Sequence, residues 1–129
     1  MACLKIPNIN YIIVSGRLTR DPELRYTPKG TPVASFSIAV SRYTKNKDSG
    51  EIKEEASFFN IIAWDNLADR CADRLSKGSA VVVEGYLRSR KYETQAGDTR
   101  YIVEIVSRRV QFLDKQETQE EVSENPDLI

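Results

Sequence analysis

From residue 33 to residue 42 the chain alternates with period two. Ala34, Phe36, Ile38 and Val40 fall on one side, and Ser35, Ser37, Ala39 and Ser41 on the other. Strand side chains point alternately to opposite faces, so this pattern fits an extended segment with one buried face. Residues 79–92 repeat the pattern. Val81, Val83, Gly85 and Leu87 form an apolar face there, while Tyr86, Arg88, Arg90 and Tyr92 share the opposite one.

Other segments complete an all-β chain. Residues 10–18 read as a strand with Ile12, Val14 and Leu18 inward; Tyr11 and Ile13 make its other face apolar as well. Asp21-Pro22 and the stretch from Pro28 to Pro32 are breakers. They bracket Glu23-Leu24-Arg25-Tyr26, a short extended piece. Residues 43–55 are polar and rich in Lys, with a turn at Asn46-Lys47-Asp48-Ser49-Gly50. Residues 57–64 form the next strand. Phe59, Ile61 and Ala63 oppose Phe58, Asn60, Ile62 and Trp64, and both sides are apolar enough to leave the core face open. Asp65-Asn66 offers a helix cap, and Leu67, Cys71 and Leu75 recur at helical spacing. A helix of roughly ten residues is expected, with Gly78 as its stop. Residues 93–98 read as a hairpin turn and residues 100–112 as a returning strand. The order is strand, strand, strand, helix, strand, strand. A five-stranded Greek-key barrel with one helix between its third and fourth strands is the OB-fold order.

Composition bounds the rest. The 129 residues are 40% hydrophobic and 29% charged, suited to one domain and a tail. Formal net charge is zero, but unevenly spread. Residues 1–113 hold 18 Lys and Arg against 13 Asp and Glu, net +5; residues 114–129 hold one against six, net −5. Periodicity also stops after Leu113. The expected division is a folded domain at 1–113 and a disordered acidic tail at 114–129. No apolar run reaches the length of about 18 that suggests a membrane span. The N-terminus lacks a signal-peptide stretch. Two cysteines, Cys3 and Cys71, are too few for a disulfide scaffold, and a cytoplasmic setting is expected.

Catalytic chemistry finds little support. There is no His, no CxxC spacing and no phosphate-cradling loop pattern, so no catalytic residue, metal or cofactor is assigned. Cys71, on the apolar stripe of the helix, reads as core filler. The positive signal is a set of rings: Phe58 and Trp64 on one side of their strand, Tyr92 at the end of another, and Tyr43 at the entry to the Lys-rich loop. Cations accompany them: Arg17, Arg42, Lys45, Lys47, Lys53, Arg88, Arg90, Lys91 and Arg100. Bases stack on rings while cations neutralise phosphates, so the combination suits an unpaired polynucleotide. Three other readings compete: a solvated face, an adaptor module of the replication machinery, and a small nucleic-acid enzyme. The ring set argues against the adaptor. An acid cluster with metal-ligand geometry would mark the enzyme, and none is evident. Stacking and charge do not separate RNA from DNA.

The chain resembles the bacterial-type single-stranded DNA-binding proteins. The resemblance is carried by Gly16-Arg17-Leu18-Thr19-Arg20-Asp21-Pro22-Glu23-Leu24-Arg25-Tyr26, Gly50-Glu51, Phe58-Phe59-Asn60-Ile61-Ile62-Ala63-Trp64 and Leu75-Ser76-Lys77-Gly78. It continues through Val83-Glu84-Gly85-Tyr86-Leu87-Arg88-Ser89-Arg90-Lys91-Tyr92, Gly97 and Arg100-Tyr101. These blocks keep their order across about residues 8–113. The resemblance implies an OB-fold, a homotetramer, and sequence-tolerant wrapping of single-stranded DNA in replication, recombination and repair. It also implies a cytoplasmic, nucleoid-associated protein. Family stacking positions fall at Phe58, Trp64 and Tyr92; a further one falls on Thr44, with Tyr43 beside it. The tail resembles the acidic C-terminus through which the family recruits replication and repair enzymes. Here it is short and closes with Pro126-Asp127-Leu128-Ile129, where the family has an acidic run ended by Pro and an aromatic residue. Asp127, Leu128 and Ile129 are the residues expected to anchor a partner.

Overall fold

A computed structural model of the chain describes residues 4–113. Its elements are β1 (Ile12–Leu18), β2 (Glu23–Tyr26), β3 (Pro32–Lys45), β4 (Ile52–Trp64), α1 (Asp65–Arg74), β5 (Ala80–Glu93) and β6 (Thr99–Leu113). The strands lie in the order β1-β5-β6-β4-β3-β2, and β1 also pairs with β3. That last pairing closes β1, β3, β4, β5 and β6 into a five-stranded barrel, as the sequence pattern implies. All pairings are antiparallel except β4 with β6. The parallel pair is reinforced where the buried Ser107 hydroxyl donates to the Ile62 carbonyl at 2.9 Å. The short piece at residues 23–26 is a strand in its own right, paired along β3 outside the barrel.

Two glycines let the barrel close. Gly16 sits where β1 leaves β5 and reaches β3, and an added Cβ would run into the Ala39 carbonyl. Gly85 lies at the register shift between β5 and β6, where a Cβ would meet the Val106 carbonyl. Phe36, Ile38, Ile61, Val81, Val83 and Ile105 fill the interior. The helix seals one end with Ala68, Cys71 and Leu75, all in the core cluster.

Several expectations change in detail. The core face of β4 is that of Phe59, Ile61 and Ala63, since Ile61 and Ala63 stand opposite the buried Phe36 and Ala34 of β3. Residues 43–55 are mostly strand: β3 and β4 stay paired out to Lys45 and Ile52, leaving only the tight Asn46–Glu51 turn. The N-cap of α1 is Trp64 and has no side-chain cap hydrogen bond; Asp65 instead makes the turn with φ 58°. The helix ends before Gly78, which serves the following turn with φ 91° and donates its N–H to the Leu18 carbonyl. Leu87 does not extend the core. It is 45% exposed because β5 has passed the register shift and left the barrel, and Asn10 clamps its backbone with two 2.8 Å hydrogen bonds.

Candidate nucleic-acid interface

Register decides which side chains share a face. On β3 and β4, the opposed pairs Val33 with Trp64, Ala39 with Phe58 and Tyr43 with Glu54 all lie on the outer side. Tyr43, Phe58 and Trp64 therefore occupy one surface. Thr44 pairs with Lys53 on the reverse side, together with Arg42 and Glu55. The outer surface continues across the parallel pair, where Ile62 neighbours Val106. From there it runs onto β6 and β5 through Arg88 opposite Glu104, Arg90 opposite Ile102 and Tyr92 opposite Arg100. Four strands thus present one ring-bearing sheet. Phe58 and Trp64 lie six residues apart on it, about 20 Å at strand rise. Phe58 and Tyr43 are 65% and 67% exposed, so these rings are not buried by the domain itself.

The cations divide by environment. Arg17 stands opposite Ala39, in a row with Phe58, and its Nη1 donates to the Gly78 carbonyl at 3.0 Å. Lys45 shares the face of Tyr43 by parity, Lys47 lies in the turn, and both are exposed. Arg42 pairs with Glu55 at 3.4 Å in an exposed bridge, a weak interaction at best. Lys53 and Lys91 are exposed and sit on the reverse faces of their ribbons. Arg100 is exposed beside Tyr92.

Arg88 and Arg90 differ from all of these. Both donate to one oxygen of Glu104, Arg88 Nη2 at 2.5 Å and Arg90 Nε at 3.0 Å. Glu104 is only 2% exposed, although it lies on the outer face. Arg88 Nε is buried and meets no hydrogen-bond partner among the described residues. Val33, Ile62, Trp64, Arg88, Arg90 and Glu104 together line one groove of about 410 Å³. Tyr86, further along the same face, is occupied by Arg108, whose guanidinium sits 4.9 Å from the ring centre.

Sequence reasoning did not single out Glu104. Its signal was a lone acid inside the apolar run Ile102-Val103-Glu104-Ile105-Val106, which becomes informative only once register sets it opposite Arg88. Cys71 is core filler as expected: it is fully buried, and burial pushes its thiol up to about 11. Among the described residues no group of His, Cys, Asp and Glu is arranged to hold a metal, and no helix is long and apolar enough to cross a membrane. Cys3 and the tail residues Asp127, Leu128 and Ile129 lie outside the described residues.

A closed five-stranded barrel, plugged by one helix and carrying rings on its outer sheet, is an OB-fold of the oligomer-binding type. Residues 9–113 match the model of the Single-strand binding protein family. The chain belongs to that family, which makes it a binding protein rather than an enzyme. It is 44% identical over 111 residues to single-stranded DNA-binding protein 2 of Chlorobaculum tepidum, covering 85% of this chain and 74% of that one. It is 45% identical over 106 residues to single-stranded DNA-binding protein A of Bacillus subtilis, covering 82% of this chain but only 60% of the relative. Among solved structures, a Plasmodium falciparum SSB complex with ssDNA superposes with a TM-score of 0.75 at 28% identity, covering 86% of this chain and all of the other.

Proposed function

We propose that this chain binds single-stranded DNA with little sequence preference and so protects and organises unpaired strands in replication, recombination and repair. The observation that carries the reading is the continuous outer sheet on which Tyr43, Phe58, Trp64 and Tyr92 share one face. Rings of this kind accept any base, because every base has a stacking face. Arg17, Lys45, Lys47 and Arg100 track the phosphates along that face. Arg42, Lys53 and Lys91 serve the backbone where it wraps around the two ribbons. Trp64 is the chain's single tryptophan and reports directly. Titration with oligo-dT at several salt concentrations is expected to quench its fluorescence, with affinity falling as salt rises. Absence of binding at every salt concentration would refute the reading.

Two further parts belong to the same proposal. Tyr11, just before β1, and Ile13 on its outer face are exposed, and we assign this face to contact with other copies in a homotetramer; light scattering showing a monomer at micromolar concentration would count against this. Residues 114–129 form the acidic recruiting segment, with Asp127, Leu128 and Ile129 engaging replication and repair enzymes beside the nucleoid. Truncation after Leu113 is expected to abolish their capture while leaving oligo-dT binding intact.

A further inference from the structure

We propose that residues 4–9 are an exchanged arm, which leaves its own domain and fills a notch between β1 and β3 of a second copy. The inference rests on the contact between copies proposed above, and adds to it a segment and its seat. Residues 4–9 form neither strand nor helix and make no hydrogen bond among the described residues. Leu4, Ile6 and Ile9 are 92%, 86% and 82% exposed. Single exposed apolar residues are ordinary, but three within one short segment form a patch of the kind that marks an interaction site. Leu4 to Asn8 also precede the stretch that matches the family, residues 9–113, so the family fold does not account for them.

The arm is turned away from its own ribbon. β1 pairs with β5 as far as Ile12 with Gly85, and in that register residues 4–9 would run beside residues 88–93. They do not. Asn10 puts its side chain where the backbone would pair: it accepts the Leu87 N–H and donates to the Leu87 carbonyl, both at 2.8 Å. Pro7, which has no N–H, would interrupt any continuation of the ladder. A seat lies elsewhere on the fold. β1 pairs with β3 only through Arg17 and Leu18, and between the diverging strands lies a notch of about 330 Å³. Ser15, Gly16, Ala39, Ser41, Ala80 and Leu113 line it. No ring and no acid lines it, and Arg17 beside it already donates to the Gly78 carbonyl. It lacks the platform on which a base stacks and suits a narrow apolar segment. Symmetry brings arm and notch together. A two-fold axis crossing β1 at Ile13, within the face assigned to contact, sets two β1 strands antiparallel. Ile9 lies as many residues before Ile13 as Arg17 lies after it, so Ile9 of one copy arrives at the notch of the other. An extended segment of this length spans about 20 Å, enough to carry Ile6 and Leu4 onward across β3.

A cross-link tests the seat. In a Cys3→Ser background of the full chain, Asn8→Cys carries a benzophenone on its thiol, while the buried Cys71 stays unlabelled. Chains of light and heavy isotope are refolded together, irradiated and digested. Mass spectrometry is expected to place the cross-link between chains, on residues 15–17 or 39–41. A cross-link within one chain, one to another part of the second chain, or none overturns the proposal and leaves the notch to DNA or to residues 114–129. Dilution tests the energy. Ile6→Ser with Ile9→Ser removes apolar surface that is exposed in the single chain, so the domain keeps its core. The concentration at which the oligomer half dissociates, read by sedimentation, should rise by about 10-fold or more. An unchanged midpoint overturns the proposal as well. A wild-type chain that is monomeric at micromolar concentration would instead refute the contact between copies on which the arm depends.

Discussion

The ribbons that project from the barrel are continuations of four of its five strands, yet ribbons and barrel follow different rules. Strands β3 to β6 run 13 to 15 residues each, and only part of each lies in the barrel. In the barrel, inward residues such as Phe36, Ile61, Val83 and Ile105 are shielded completely. On the ribbons the same inward parity places Leu87, Val103 and Tyr101 in the open. The hydrogen-bond ladder is intact in both regions. A sheet face is buried only when a second layer covers it, and beyond the barrel none of the described residues does so. Alternation therefore identifies faces but not burial. Exposed ribbon side chains are surface available to DNA or to other copies, whereas barrel side chains hold the fold.

The largest expected effect tests that division directly. Phe36→Ala empties a fully buried site and should destabilise the domain by about 3–5 kcal/mol in urea unfolding. Tyr101→Ala, on the ribbon, should stay within about 0.5 kcal/mol of the wild type. Comparable losses at the two sites would show that the ribbon face is covered in solution, and so would relocate the proposed interface between copies.

The outer face gives the next effect. Phe58→Ala and Tyr92→Ala should each weaken oligo-dT binding by about 1–3 kcal/mol with little dependence on base. Tyr43→Ala and Thr44→Ala sharpen the comparison, because these neighbours lie on opposite sides of the ribbon. Loss of affinity is expected for Tyr43→Ala and not for Thr44→Ala. The reverse result would mean that the strand runs along the other side of the β3–β4 ribbon.

Much of this architecture was legible because parity is a local property. The inward sets of β1 and β3 and the helix stripe of Cys71 and Leu75 all follow from spacing alone. The core face of β4 was not legible, since both its sides are apolar; pairing of Ile61 with Phe36 and of Ala63 with Ala34 decides it. Residues 43–45 and 52–55 looked like loop because Lys45, Lys53, Glu54 and Glu55 are of types depleted in strands. A closed hairpin ladder overrides that preference, with the Asn46 side chain organising the turn by accepting the Asp48 N–H at 2.8 Å. At the candidate site the rings were legible as a set, but the fate of the cations was not. Composition counts Arg88 and Lys45 alike; only register reveals that one is tied to a buried acid.

The smallest effect at neutral pH concerns Cys71, which reports on the closed region alone. Its side chain is fully buried under the helix, and burial raises the thiol from 9.0 to about 11. The neutral thiol is therefore favoured in the folded chain. Its contribution to stability is fully present below pH 9 and declines as pH climbs toward 11, because the unfolded chain ionises first. Around pH 8 the native thiol should resist alkylation by iodoacetamide, reacting only as fast as the barrel opens. Addition of oligo-dT should slow that reaction further, since a ligand that binds only the folded state stabilises it by mass action. Fast, DNA-independent labelling of Cys71, separated from Cys3 by peptide mapping, would show that the helix end of the barrel opens locally, without the rest of the fold. The boundary between shielded and open regions would then lie inside the barrel rather than at its rim.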